Sequence, residues 1–140
     1  MSFVLNTIID QSVYPSPDTP CHRQTFNIGG IQCIYHPLND SKRYVVYLHG
    51  NMMTLASIFD ADIVSTLSNA CAANVIVPEY PGYGDYHKKA RGVGDEADRA
   101  MYAHVHSVID ELRQKGIRDI SIVARSIGTG IALGALTSQQ

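Results

Sequence analysis

The sequence predicts an α/β domain: three layers, with a mostly parallel sheet between helices and an antiparallel hairpin at its start. Three observations predict it. The apolar runs Arg43–Gly50, Asn74–Tyr80 and Asp119–Ala124 lack the alternation of a half-exposed strand, the mark of strands covered on both faces. Segments with helical apolar spacing separate and follow them. Ahead of them all, a Gly-Gly pair joins two alternating runs. Strands that alternate with helices build parallel sheets through crossover connections.

The elements follow in order. Residues 1–24 read as an extended lead-in, because SVYPSPDTP (residues 12–20) is proline-rich and has no period. The domain is expected over 25–140. In TFNIGGIQCIYHPL, Phe26 and Ile28 alternate with polar neighbours, as do Ile31, Cys33 and Tyr35, and Gly29-Gly30 supplies a two-residue turn. RYVVYLHG then reads as a covered strand. From Ser57 to Ala72, the spacing of Phe59, Ile63, Leu67 and Cys71 predicts one helix. NVIVPEY is the next strand, and PGYGDYHKKARGVG is a loop rich in turn residues. Asp95 is placed as the N-cap of a helix whose stripe is Ala97, Met101, Val105, Val108 and Leu112, stopped by Gly116. Asp119–Ala124 forms the last strand and Ile127–Leu136 the last helix.

Composition narrows the function classes. The chain has 140 residues, enough for one core, with 45% hydrophobic and 17% charged residues and a net charge of −2. That balance does not favour nucleic acid or a membrane surface as a partner. The basic cluster His87–Arg91 reads as a solvated loop. Cys21, Cys33 and Cys71 are odd in number and far apart, which fits neither a disulfide framework nor a metal site and points to reduced thiols in the cytoplasm. The start, MSFVLNTIID, has no signal-peptide pattern, and no run approaches the length of a membrane span.

The chemistry is expected at SIVARSIGTGIALGAL (121–136). Here an apolar strand stops at Arg125-Ser126 and a small-residue helix starts at once. A sharp turn at that seam lifts its central side chain above the carboxyl ends of the strands, where open α/β sheets bind ligands. The first N–H groups of the helix lack intrahelical partners and can hold a developing negative charge. A tight turn needs small residues two before and two after the serine, and Ala124 and Gly128 stand there. A-x-S-x-G is a variant of the nucleophile elbow. Gly130 and Gly134, four apart, are expected to let one face of the helix approach the sheet.

At these residues the chain resembles the α/β-hydrolase superfamily. YLHGN (Tyr47–Asn51) resembles the His-Gly motif that feeds its oxyanion loop, PEYPGYG (Pro78–Gly84) the loop after its next strand, and ARSIG its elbow. The pieces come in the family's order over roughly residues 25–140, its amino-terminal half. The similarity runs nearest to the serine hydrolases that include protein depalmitoylases. It implies Ser126 as nucleophile and the Ile127 N–H as one oxyanion donor. A second donor would come from the loop after Gly50, at Asn51 or Met52. It implies His49 as a loop-shaping residue, no cofactor, and a small-molecule or acyl-protein ester, thioester or amide as substrate. Tyr80 and Tyr83 are read as packing residues. Arg125 points to solvent or pairs with a carboxylate.

The family's triad order is serine, acid, histidine. After Ser126 the sequence IGTGIALGALTSQQ holds no Asp, Glu or His. Upstream, His22, His36, His87, His104 and His106 read as solvated or packed, with His104 and His106 too close in sequence to share a helix face as a metal pair. Glu79 and Asp85, near the upper rim, are poor substitutes for the acid. DISIVA is expected to present an apolar edge open to self-association, and one face of the last helix to lack cover. Two readings stand: a serine hydrolase acting through an acyl-enzyme, and an inactive fragment or pseudoenzyme serving as an interaction module. A third, a nucleotide binder using GTGIALG, fits less well, because Leu133 stands where the fingerprint needs glycine and no acidic residue follows.

Overall fold

The computed structural model describes residues 24–50, 53–60, 62–83 and 95–138. The opening hairpin is as expected: β1 (Phe26–Ile28) pairs antiparallel with β2 (Ile31–His36), Ile28 opposite Ile31. Both turn residues have positive φ, 61° at Gly29 and 79° at Gly30, the pair of values that matches strand twist in a two-residue hairpin. Gly29 is also a docking point. A Cβ there would lie 2.2 Å from the Ser107 carbonyl, and its N–H donates to Glu111 Oε2 at 2.7 Å.

β3 (Arg43–Leu48), β4 (Asn74–Pro78) and β5 (Asp119–Ala124) complete one five-stranded sheet in the order β1-β2-β4-β3-β5. β3 runs parallel to both β4 and β5, with Val45 opposite Val75 and Leu48 opposite Ala124, while β2 is antiparallel to β4. Val45, Val46, Tyr47 and Leu48 are all buried, which explains the unbroken apolar run. β5 departs from that reading. It is the edge strand, so its residues are partly buried or exposed rather than covered on both faces. The expected open edge is therefore present among the described residues.

The helix expected over Ser57–Ala72 is two helices, α1 (Leu55–Asp60) and α2 (Ile63–Cys71). The break is at Asp62, whose φ of 54° is left-handed, a conformation aspartate adopts more readily than most residues. Its carboxylate accepts the Ser65 hydroxyl at 2.6 Å and its carbonyl the Thr66 hydroxyl at 3.1 Å. The start also moves upstream, because Thr54 and Ser57 cap α1 reciprocally: each N–H donates to the other's hydroxyl, at 2.8 and 3.4 Å.

α3 (Asp95–Gln114) follows the predicted stripe: Ala97, Met101, Val105 and Val108 are fully buried and Leu112 nearly so. Each large side chain buried in this way contributes about 1.5–3 kcal/mol. Asp95 lies inside the helix rather than at its N-cap. Gly116, at φ 83°, ends it as foreseen: its N–H donates to Arg113 O and that of Ile117 to Leu112 O. α4 (Ile127–Thr137) closes the fold. α3 and α4 cover one face around Met101, Val105 and Ile131, and α1 and α2 cover the other around Leu55, Ile58 and Val64. Three layers result.

The expectation for Gly130 and Gly134 is corrected. Gly130 has open space where a Cβ would stand. A Cβ on Gly134 would meet the Tyr102 ring at 2.2 Å, so this glycine brings α4 against α3, not against the sheet. The close approach to the sheet belongs to Gly128. Leu133 and Leu136 are 61% and 65% exposed, the uncovered face expected of the last helix.

Candidate active site

β3, β4 and β5 are parallel, so the residues that follow them emerge at one end of the sheet: His49-Gly50, Glu79–Tyr83 and Arg125-Ser126. β4 and β5 lie on opposite sides of β3, so chain direction diverges there, the place where open α/β sheets form their crevice.

Ser126 stands at the seam of β5 and α4 with φ 54° and ψ −122°. This is strained backbone for a residue with a Cβ, and strain of this kind costs on the order of 1–3 kcal/mol. Two contacts impose it. The Arg125 N–H donates to Leu48 O at 3.1 Å, carrying the β3–β5 ladder one residue past the strand. Gly128 then packs on the same carbonyl, so closely that a Cβ would lie 2.2 Å from it. The chain must turn from strand to helix within two residues, and Ser126 takes the turn.

The serine is exposed and its hydroxyl makes no capping bond. Gly128 and Thr129 donate their N–H groups to the carbonyls of Arg125 and Ser126. The Ile127 N–H makes neither of these bonds and sits beside the serine at the positive end of the helix. Opposite lies Gly50, where a Cβ would be 3.5 Å from the Ser126 Cβ. The segment that leads to Asn51 and Met52 thus passes next to Ser126; those two residues lie outside the described ones. Ala124 is partly buried against the core, and Arg125 is exposed.

His49 is fully buried and stacked on Tyr80 with ring centroids 4.0 Å apart, and Tyr83 meets it edge-on at 5.8 Å. Its Nε2 lies 3.1 Å from Glu79 Oε1 and its Nδ1 3.1 Å from Gly50 O. The Tyr80 hydroxyl donates to His49 O at 2.7 Å. Tyr80 and Tyr83 are both fully buried, as the packing reading required. Glu79 is more than a rim carboxylate. It is 1% exposed and accepts the Leu55 N–H at 3.0 Å and the Tyr80 N–H at 3.2 Å. Composition and spacing did not mark it as a hub. A usable signal was there: a covered strand, NVIVP, that runs directly into a charged residue and two nearby tyrosines.

The other described histidines are committed elsewhere. His104 Nδ1 contacts Glu79 O at 2.9 Å and His106 Nε2 contacts Ala135 O at 2.6 Å, so these two do face different partners. Ala135 is nine residues along α4 from Ser126, about 13 Å at helical rise. His36 pairs with Val75, at the far end of the sheet from the serine. His22, Asp85, His87, Gly84 and Cys21 lie outside the described residues. No group of three or more metal-ligating side chains occurs among those described. Cys33 is buried and free, its thiol on Ile31 O at 3.3 Å and pushed up to about 12 by burial. A cavity of about 440 Å³ lined by Ser41, Lys42, Tyr44 and residues 115–119 opens at the amino ends of β3 and β5, away from Ser126. No described helix is long and apolar enough to cross a membrane.

A model of the alpha/beta hydrolase family matches residues 45–138. No curated protein matches the chain significantly in sequence. Solved structures do match in fold. TT1662 from Thermus thermophilus superposes with a TM-score of 0.61 at 14% identity, over 78% of this chain and 48% of its own. EstE5 gives 0.63 at 18%, over 95% and 43%. A cold-adapted esterase from an Arctic intertidal metagenomic library gives 0.57 at 20%, over 83% and 54%. The chain thus spans 43–54% of the length of these three structures.

Proposed function

This chain belongs to the alpha/beta hydrolase family, and on that premise we propose that it carries the nucleophile and oxyanion half of a serine hydrolase. The observation that carries the proposal is the backbone of Ser126, strained at positive φ and exposed at the strand–helix seam beside Gly50. Its Oγ would attack the carbonyl carbon of an ester, thioester or amide. The tetrahedral oxyanion would be met by the Ile127 N–H and by a donor from Asn51 or Met52. Collapse would leave the acyl group on Ser126 and release the alcohol, thiol or amine, which takes up the proton that the serine gave. The esterase names of structural neighbours support an ester among these.

That proton needs a carrier. His49, His104 and His106 are engaged with other partners, and residues 127–140 supply neither histidine nor acid. The base and its orienting carboxylate would therefore come from outside the described residues. A second reading is favoured by the open edge of β5 and by exposed Leu133 and Leu136. In it the chain is a non-catalytic module that associates through that flank, with itself or with another polypeptide. A fluorophosphonate probe separates the two. Stoichiometric labelling that Ser126→Ala abolishes supports the hydrolase. A serine that stays silent supports the module.

A further inference from the structure

His49 presents a proton-counting problem. Both of its ring nitrogens lie 3.1 Å from an oxygen, Nε2 from Glu79 Oε1 and Nδ1 from Gly50 O. A carbonyl oxygen and a carboxylate oxygen can only accept. A neutral imidazole carries one N–H, so one of these contacts would set a lone pair against a lone pair in a fully buried site. Two donors satisfy both contacts. The balancing charge is at hand, because Glu79 accepts backbone N–H groups on both oxygens, Tyr80 on Oε1 and Leu55 on Oε2. The Tyr80 ring stacked at 4.0 Å offers its face to a cation.

We infer that His49 and Glu79 form a buried imidazolium–carboxylate pair, and that through it Glu79 is a positioning residue for the loop that passes Ser126. One carboxylate holds this loop at both ends, at His49 through the ring and at Leu55 through the main chain. The proton on Nδ1 fixes the Gly50 carbonyl, and Gly50 is the residue whose Cβ would stand 3.5 Å from that of Ser126. The other titratable groups that face the pair among the described residues are Cys33 from β2, which feels the Glu79 charge, Tyr80 and Tyr83 from the loop after β4, and His104 from α3, whose Nδ1 meets the Glu79 carbonyl. α1 adds the Leu55 amide. The inference borrows its catalytic meaning from the reading of Ser126 as nucleophile, but its test does not.

The test is nitrogen NMR on the whole chain labelled with 15N-histidine, with His49 assigned through its contacts to the Tyr80 ring. At pH 7 both His49 nitrogens should show the shift of a protonated ring nitrogen, and neither the shift of an unprotonated one. In Glu79→Gln, which keeps the shape of the side chain, one nitrogen should move to the unprotonated position, and the Leu55 amide should exchange at least tenfold faster. A purely structural glutamate would leave the ring shifts unchanged, and that result would overturn the inference. So would an unprotonated nitrogen in wild-type His49 at pH 7, a measurement that stands even where the variant does not fold. A serine inert to fluorophosphonate would sink the hydrolase reading and leave these shifts as they are.

Discussion

Gly128 rests on the carbonyl of Leu48 with no room for a methyl group: a Cβ there would lie 2.2 Å from the oxygen. The same carbonyl accepts the Arg125 N–H. One main-chain oxygen of β3 thus sets both the residue before Ser126 and the residue two after it.

Gly128→Ala should therefore destabilise the protein by about 1–3 kcal/mol, the range for overpacking a rigid site. Gly130→Ala, two residues on, meets nothing within 4 Å. It should stabilise by up to about 1 kcal/mol, the helix-propensity gain of alanine over glycine. Urea unfolding of the two variants checks this. Equal midpoints would show that the Leu48 contact does not constrain the turn.

Asn74 ties three backbone groups at the opposite end of the sheet. Its Oδ1 accepts the Leu38 N–H, and its Nδ2 donates to the carbonyls of Ser41 and Arg43. It is 4% exposed. Asn74→Ala should cost about 1–3 kcal/mol by leaving buried partners unmade. A smaller loss in urea unfolding, within a few tenths of a kcal/mol of wild type, would contradict it.

Cys33 gives a pH dependence. Burial raises its folded value from 9.0 to about 12, so between these values the unfolded chain binds fewer protons than the folded one. Stability from this thiol is complete below pH 9 and is lost as pH rises toward 12, with a slope of up to about 1.4 kcal/mol per pH unit. The urea midpoint of wild type should fall between pH 9 and 11 more steeply than that of Cys33→Ala. The native thiol should also resist iodoacetamide at pH 8 while partly exposed Cys71 reacts. Parallel midpoint slopes, or equal alkylation rates, would count against it.

The module reading makes its own prediction. Leu133 and Leu136 lie on the exposed face of α4, and β5 has a neighbour on one side only among the described residues. If this flank associates, the wild-type chain should sediment above the monomer mass at tens of micromolar, and L133E/L136E should return it to monomer. A monomeric wild type at that concentration would remove self-association.

What the sequence made legible was periodic or local. Gly29-Gly30 announced its turn, the Ala97–Leu112 stripe its buried face, and Gly116 its stop, because each is dictated by backbone freedom or by a repeat. The misreadings have the opposite character. Phe59, Ile63, Leu67 and Cys71 kept a helical spacing across a break, since α1 and α2 cover the same face of the sheet and the period ran through Asp62 unmarked. Gly130 and Gly134 looked like a pair, but only a neighbouring ring, Tyr102, distinguishes them. At the candidate site, the tight turn at Ser126 was legible from the small residues around it. Glu79 was not, because its importance comes from His49, thirty positions away, and from the end of a loop that no spacing rule connects to it.

Among the described residues the serine strand is also the outermost strand. Residues 119–124 are laced to β3 along one margin, and their other margin offers main-chain donors and acceptors to whatever arrives. A guest strand bonded there would brace the bend that follows β5, and its departure would let that bend relax. The orientation of the Ser126 turn would then answer to any strand paired there as well as to the residues that build the turn.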